Sequence, residues 1–130
     1  MPRIEHVGLW VRDIDAVCSF YATYFGARVG PGYENAAKGF ASRFLVFETG
    51  VRIEVMTTST LSPVVLAPGA QRMGFTHLAV ALGSDSAVDD LTARLRTDGY
   101  PVLDGPRRTG DGYYESVVLD PEGNRVEITA

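Results

Sequence analysis

The sequence predicts an α+β fold made of two modules, each with the element order β-α-β-β-β. Three observations lead to this prediction. A strand-like stretch that contains a histidine occurs twice, as "IEHVGLWV" near the N-terminus and as "THLAVAL" in the second half. Each stretch is followed by a helical pattern that ends in glycine, and each half closes with a strand that carries a glutamate. Such self-similarity indicates a structural repeat. A half of about 60 residues can hardly bury a sheet face alone, so the two halves must pack together, within one chain or between chains.

The first module begins with a strand over residues 4–11, where side chains alternate in the manner of a strand. A helix over residues 13–25 follows, because its apolar side chains recur at the spacing of a helix with one buried face. Gly26 suits the position just after a helix, where a left-handed backbone is needed. A glycine-rich loop over residues 30–41 then leads to two strands, "RFLVFE" and "VRIEVMT", joined by a "TG" turn.

The second module repeats this order after a linker that is rich in proline and glycine. Its helix is predicted over residues 86–98, where Ser86 and Asp89 resemble a capping box. Three strand-like stretches follow, "YPVLDGP", "YYESVVLD" and "NRVEIT", separated by the loop "RRTGDG" and the tight turn "PEG". We therefore predict a single domain over residues 1–130, divided into module 1 (about 1–57), the linker (58–74) and module 2 (about 75–130).

Length and composition restrict the function classes. With 130 residues, 45% of them hydrophobic, the chain can form a buried core and does not have the composition of a disordered protein. A net charge of −4 argues against nucleic acid or an anionic membrane as a partner, because both favour a basic surface. The sequence has no apolar run of about 18 residues, no signal-peptide pattern and one cysteine, Cys18, which we place in the core. These features predict a cytoplasmic location.

The only two histidines of the chain, His6 and His77, occupy equivalent strands, and Glu54 and Glu127 stand in the last strand of each half. His6 precedes Glu54 by 48 residues, and His77 precedes Glu127 by 50. Strand alternation places each of the four opposite a row of branched apolar side chains, on the face away from the helices. A single strand histidine or glutamate is usually an ordinary surface or core residue. A repeated pair instead indicates a divalent metal site with two nitrogen and two oxygen donors.

These residues, with "HVGLWVRDIDAVCSFYATYFGA" at the front and "SVVLDPEGNRVEI" at the end, make the chain resemble the vicinal oxygen chelate superfamily over nearly its whole length. That superfamily includes glyoxalase I, methylmalonyl-CoA epimerase, extradiol dioxygenases and the fosfomycin- and bleomycin-resistance proteins. The resemblance implies two modules that form a curved mixed sheet around a central cavity, commonly in a homodimer. It also implies that the four residues bind a divalent metal, and Ni, Zn, Co, Mn and Fe are all compatible with these donors.

The ligand pattern is closest to that of glyoxalase I, in which two histidines and two glutamates are all present. Extradiol dioxygenases use two histidines and one glutamate, and they need no ligand at the position of Glu54. Glyoxalase I tends to have an arginine four residues after its first ligand and an asparagine four residues after its second. This chain has Trp10 and Thr58 at those positions. The two departures argue against a glutathione thiohemiacetal as the substrate.

Together, the resemblance and the donor set predict a lyase or isomerase that acts on a small substrate with vicinal oxygens. The metal would act as a Lewis acid that stabilises an enolate-type intermediate, and Glu54 or Glu127 would move the proton. Two other interpretations stay open. One is an extradiol-type dioxygenase, against which Glu54 argues. The other is a non-catalytic protein that binds a small molecule such as an antibiotic, against which the four ligand positions argue.

Further residues are candidates for the substrate pocket. Trp10 shares the face of the first histidine and could form a pocket wall, although an ordinary packed aromatic side chain would have the same position. Arg107 and Tyr113 belong to the loop stretch "RRTGDGYY" and could bind an anionic substrate, with a solvated loop as the alternative for the arginine. The loop at residues 30–41 could form a lid. Its glycines do not precede a helix in a phosphate-binding arrangement, so nucleotide binding is not expected.

Overall fold

Two sheets, each with one α-helix, make up the regular structure in the computed structural model, which describes residues 1–67 and 69–130. Pro68, which falls in the predicted linker, lies outside the described residues. The chain divides into two compact units, Met1–Val64 and Val65–Ala130. The first unit contains β1 (His6–Trp10), α1 (Ile14–Phe25), β2 (Arg28–Val29), β3 (Tyr33–Asn35), a 3₁₀ helix (Ala36–Lys38), β4 (Phe40–Val46) and β5 (Arg52–Thr57). The second unit contains β6 (His77–Ala81), α2 (Asp85–Thr97), β7 (Val102–Arg108), β8 (Tyr114–Leu119) and β9 (Arg125–Thr129).

Both sheets have the same strand order. It is β1-β5-β4-β2 in the first unit, with β3 also paired to β4, and β6-β9-β8-β7 in the second unit. In each unit the first strand pairs in parallel with the last strand, and the other pairs are antiparallel. The α+β class and the two modules predicted from the sequence are therefore confirmed, and the repeat extends to the sheet topology.

The stretch at residues 30–41 contains regular structure where the sequence predicted a loop. It holds β3, which pairs antiparallel with β4, and the 3₁₀ helix. The side chain of Asn35 accepts a hydrogen bond from the backbone N–H of Lys38 (3.3 Å), and Gly39 follows with a φ of 60°. The prediction of a loop was wrong here because side-chain capping and pairing with β4 outweigh the high glycine content.

Helix α1 begins and ends close to the predicted bounds. The Asp13 side chain accepts a hydrogen bond from the N–H of Ala16 (3.0 Å), as an N-cap residue does. Gly26 has a φ of 69° and donates its N–H to the carbonyl of Ala22 (3.2 Å), which confirms its predicted role after the helix. The buried face of α1 consists of Val17, Cys18, Phe20 and Tyr21.

Helix α2 begins at Asp85, one residue earlier than predicted. Its N-cap is Ser84, whose side chain accepts a hydrogen bond from the N–H of Ala87 (3.2 Å). The predicted capping box at Ser86 and Asp89 was therefore wrong. Ser84 has the extended backbone that an N-cap needs, whereas Ser86 already lies in the first helical turn. None of the described helices is long and apolar enough to cross a membrane.

Each final strand separates an apolar face from a polar one. In β9, Val126 and Ile128 are both 0% exposed, and Glu127 between them lies on the opposite face with 21% of its side chain exposed. In β5, Val55 is buried in the same way, and Glu54 is exposed to the same extent as Glu127. The alternation that the sequence predicts is therefore present in both units, and the two glutamates face away from the buried aliphatic side chains.

Candidate functional site

In each unit a histidine faces a glutamate on the neighbouring parallel strand. The Nε2 atom of His6 lies 3.5 Å from Oε1 of Glu54, and Nε2 of His77 lies 3.0 Å from Oε2 of Glu127. The strand register is equivalent in both units, because each glutamate pairs with the residue two positions after the histidine, which is Gly8 or Ala79. The two pairs are thus the same structural feature built twice.

These separations suit two donors of one metal ion. A nitrogen and an oxygen that each lie about 2.0–2.2 Å from an ion are about 2.8–3.6 Å apart when the angle between them is between square and tetrahedral. Both Nε2–carboxylate distances, 3.5 Å and 3.0 Å, fall in that interval. Imidazole and carboxylate are also donors that divalent transition metals accept. Each pair therefore fits half of the predicted four-donor set.

The second nitrogen of each imidazole has its own partner, which orients the ring. The Nδ1 atom of His6 forms a hydrogen bond with the carboxylate of Glu5. The Nδ1 atom of His77 lies 3.0 Å from the hydroxyl of Thr76. Because Nδ1 is occupied, Nε2 is the atom presented to the glutamate in both units, and such an outer partner is usual for a metal-binding histidine.

The first unit surrounds its histidine with a closed set of contacts, which we call the Glu5 network. The Glu5 carboxylate also forms a salt bridge with Arg52, whose guanidinium lies 4.2 Å from the centre of the Phe44 ring. The Phe44 ring in turn meets the His6 ring edge-on at 5.5 Å. Hydrogen bonds first from His6 and then from Arg52 hold the pKa of the Glu5 carboxyl below its usual value. The sequence reasoning missed Glu5, and only its position next to His6 could have suggested it.

The second unit instead places a further carboxyl beside its glutamate. Glu115 in β8 lies beside Glu127, and burial followed by the negative charge of Glu127 raises the pKa of the Glu115 carboxyl. Glu127 pairs with Val117, so Glu115 lies two positions along the same face of β8. The sequence reasoning missed this residue too, because the alternation of β8 shows which residues share a face but does not show which strand lies beside it.

The three residues predicted to line a substrate pocket, Trp10, Arg107 and Tyr113, each have different neighbours in the structure. Trp10 is 50% exposed and meets the ring of Phe40 edge-on at 6.2 Å. Arg107 lies in β7 and not in the predicted loop, and its Nε is 2.9 Å from the carboxylate of Asp104. That contact raises the pKa of Arg107 and already engages its charge. Tyr113 is 56% exposed, immediately before β8.

The structure brings the four predicted ligands together as two pairs, one in each unit. Within residues 1–67 and 69–130, no group of three or more His, Cys, Asp or Glu side chains is arranged to hold a metal ion. The binding of one metal by all four residues stays a prediction, as do the substrate-pocket roles of Trp10, Arg107 and Tyr113.

Known proteins match this chain over nearly its whole length. A sequence model of the Glyoxalase/Bleomycin resistance protein/Dioxygenase superfamily matches residues 3–128. The Pseudomonas aeruginosa protein named uncharacterized protein PA2024 is 31% identical, and the alignment covers 98% of this chain and 88% of that protein. The Bacillus subtilis protein YqjT, also named uncharacterized, is 27% identical, with 98% of both chains covered.

Solved structures share the fold at lower identity. The glyoxalase/bleomycin resistance protein/dioxygenase domain from Frankia sp. EAN1pec has a TM-score of 0.80 and 19% identity, covering 99% of this chain and 97% of that one. The trypanothione-dependent glyoxalase I of Leishmania major has a TM-score of 0.77 and 19% identity, covering 99% of this chain and 86% of that one. At such identities the likeness shows the fold alone.

Proposed function

The chain belongs to the Glyoxalase/Bleomycin resistance protein/Dioxygenase superfamily, and we propose that it is a divalent-metal-dependent lyase or isomerase within it. Its substrate is a small molecule with vicinal oxygens. One observation carries the proposal, which is the repetition of a His–Glu pair at equivalent strand positions with nitrogen–oxygen distances of 3.5 Å and 3.0 Å. Two such pairs supply two imidazole nitrogens and two carboxylates, a donor set that surface solvation alone would not produce twice in register.

In this proposal the ligands are His6, Glu54, His77 and Glu127. When bound, the ion supplies Lewis-acid stabilisation of negative charge on the substrate oxygens. The ligands include no thiolate, so Ni(II), Zn(II), Co(II), Mn(II) and Fe(II) are the candidate ions. The Nδ1 contacts with Glu5 and Thr76 orient the two histidines so that Nε2 is the donor in each.

The proton is moved by one of the two glutamates. Each has a side chain that is 21% exposed, so its carboxylate is within reach of a bound substrate. The carboxylate takes a proton from the carbon next to a substrate oxygen and returns it to a neighbouring atom, the step that isomerases and lyases of this kind share. Glu54→Gln and Glu127→Gln separate the two roles, because the variant that lacks the base loses turnover even where it keeps the metal.

We also propose that the protein is a cytoplasmic homodimer. Large apolar side chains of the second unit are fully or almost fully exposed in the single chain, with Val65 at 88%, Met73 at 94% and Phe75 at 98%. Exposed apolar groups of this size favour association with another protein surface, and a two-fold dimer is the commonest oligomer. Light scattering at micromolar concentration tests this proposal, and a monomer under those conditions would contradict it.

The metal is tested by measuring metal content and melting temperature of the wild type, Glu54→Ala and His77→Ala, with and without Ni(II) or Zn(II). Glu48→Ala is the matched control, because Glu48 is exposed and lies outside both pairs. The wild type and the control should gain about 2.7 kcal/mol of stability at a metal concentration 100 times the Kd, and both ligand variants should lose most of that gain.

The other outcomes identify the alternatives. If Glu54→Ala keeps its metal and His77→Ala does not, the site has three ligands and the dioxygenase interpretation replaces the proposal. If the wild type neither holds a metal nor gains stability from one, the protein is a metal-free binder of a small molecule.

A further inference from the structure

A cavity in the first unit lies apart from the His6–Glu54 pair, since neither residue is part of its lining. Its volume is about 340 Å³, and it is lined by Tyr33, Asn35, Lys38, Phe40 and Thr58. This volume is at the lower end of the range for small-molecule sites, which suits one ring and its substituent. The cavity combines aromatic rings with one cationic side chain, and its lining contains no carboxylate.

Two aromatic rings, Tyr33 and Phe40, line this cavity, and the ring of Trp10 adjoins it through a contact with Phe40. Phe40 is the central ring, with Trp10 edge-on at 6.2 Å and Tyr33 tilted at 6.0 Å. Trp10 is nevertheless 50% exposed and Tyr33 is 56% exposed. A ligand with an aromatic ring would remove this apolar area from water and make further edge-on or offset contacts with the three rings.

Lys38 supplies the charge. Its backbone N–H is bonded to the Asn35 side chain at the start of the 3₁₀ helix, which holds the residue at the cavity. In the part of the chain that the structure describes, the Lys38 ammonium forms no salt bridge. Arg107 in the second unit differs, because its charge is engaged by Asp104 at 2.9 Å. A ligand that places an anionic group beside its ring would therefore find a complementary charge here.

The cavity adjoins the face that carries His6, because its lining residue Phe40 contacts Trp10 on β1. Trp10 and His6 are four residues apart on β1, so they share one face at a distance of about 13 Å along the strand. Between them Met56 covers Gly8, since a Cβ built at that glycine would lie 2.9 Å from the methyl carbon of Met56. The face thus runs from the His6–Glu54 pair over an apolar side chain to the aromatic rings.

We propose that Trp10, Tyr33, Phe40 and Lys38 form a subsite for an aromatic ring with an adjacent carboxylate. The subsite binds the distal end of an extended substrate whose reacting end lies at the His6–Glu54 pair, so the placement of that reacting end rests on the proposed function. Binding of the ring and carboxylate does not require a metal, which allows the subsite to be tested separately.

Trp10 is the only tryptophan of the chain, so its fluorescence reports on the subsite directly. The full-length protein is titrated in the presence of a chelator with three probes at equal ionic strength: phenylacetate, benzyl alcohol and acetate. Phenylacetate should change the fluorescence saturably and bind about two- to fivefold more tightly than benzyl alcohol, because one exposed charge pair contributes that much. Acetate should give no saturable change.

Two variants test separately the aromatic contact and the positive charge of the subsite. Tyr33→Leu should weaken phenylacetate about two- to tenfold, the range for loss of one aromatic contact. Lys38→Gln should remove the preference for phenylacetate over benzyl alcohol. Arg28→Gln, which removes the same charge from an exposed residue outside the cavity lining, should change neither affinity. Tyr33 and Lys38 are both exposed, so neither change should unfold the protein.

Two results would overturn the subsite: no saturable response to phenylacetate in the wild type, or equal losses in Lys38→Gln and Arg28→Gln. Neither depends on the metal. A protein that binds phenylacetate as expected and never retains a metal keeps the subsite and loses the proposed enzyme function. A protein that retains its metal and does not bind phenylacetate keeps the proposed enzyme function and loses the subsite.

Discussion

The two units contain the same His–Glu pair in different surroundings. In the first unit the histidine is held by a carboxylate, because Glu5 contacts His6 and is itself paired with Arg52. In the second unit the Nδ1 partner of the histidine is the neutral hydroxyl of Thr76, and the additional carboxyl, Glu115, lies beside the glutamate. The additional carboxylate therefore orients the histidine in the first unit, whereas in the second unit it repels the carboxylate of the glutamate.

The two units therefore share the proposed metal-donor positions but not the residues that surround them. The donors, the strand register and the buried aliphatic row are repeated, whereas the residues around the donors differ between the units. The position opposite the glutamate illustrates this difference, since Phe44 faces Glu54 and Val117 faces Glu127. Only the aromatic ring can complete a set of contacts with Arg52 and His6. The first histidine should therefore be the more tightly oriented of the two.

The largest effect is expected where the two units are alike, at the buried row beneath the pairs. Ile128→Ala should lower the free energy of unfolding by about 2–5 kcal/mol, because it removes a side chain that is 0% exposed and leaves a cavity. Its neighbour on the opposite face provides the control, and Glu127→Gln should cost far less. Urea unfolding of both variants measures the contrast, and equal losses would mean that the two faces of β9 are not distinct.

The next effect concerns the partners of the two histidines. Glu5→Ala should weaken Ni(II) or Co(II) binding about 10- to 100-fold, the usual cost of losing a charged outer partner of a metal ligand. Thr76→Ala should weaken it less than tenfold, because the lost partner is neutral. Competition with a chelator of known affinity measures both, and the melting temperature of the metal-free variants shows whether they are folded. Equal losses would show that the Glu5 network adds nothing to metal binding.

The third effect is a pH dependence that Glu115 adds in the second unit. Because the pKa of Glu115 is raised in the folded protein, this carboxyl costs stability above its usual pKa of 4.5, and the cost grows as the pH rises through the folded-state value. Glu115→Gln should therefore stabilise the protein at pH 7, by less than about 1 kcal/mol because the residue is partly solvated. The gain should vanish near pH 4. Urea titrations at the two pH values, with a chelator present, measure it, and a gain that is the same at both would contradict the mechanism.

The smallest effect is expected at the exposed ion pair of Arg107 with Asp104. Both groups are open to solvent, so their attraction is screened and offset by the ordering of long side chains. Arg107→Gln should shift the melting temperature by less than about 2 °C, and added salt should reduce even that shift. A larger shift would indicate a role for Arg107 that the pairing with Asp104 does not explain.

Local sequence patterns determined much of this protein. Alternation and the repeat predicted the two modules and the faces of Glu54 and Glu127, because a strand has a period of two and a buried row is visible as branched apolar residues. The bounds of helix α1 followed from its apolar spacing and from Gly26, because both act within the adjoining turns, whereas the capping role of Asp13 is visible only in the structure. The start of α2 was missed by one residue because Ser84 and Ser86 carry the same local signal, and only the backbone distinguishes them.

Contacts between residues distant in sequence were decided by the tertiary structure alone. The sequence contains Glu5, Arg52 and Phe44 but does not show that they meet around His6, because the contact depends on β5 lying between β1 and β4. The proximity of Glu115 to Glu127 depends in the same way on which strand β9 adopts as its neighbour. The period of a strand shows to which face a side chain points. The register between strands decides which charged residue lies beside it, and that neighbour controls the orientation of a metal ligand and the pKa of a carboxyl.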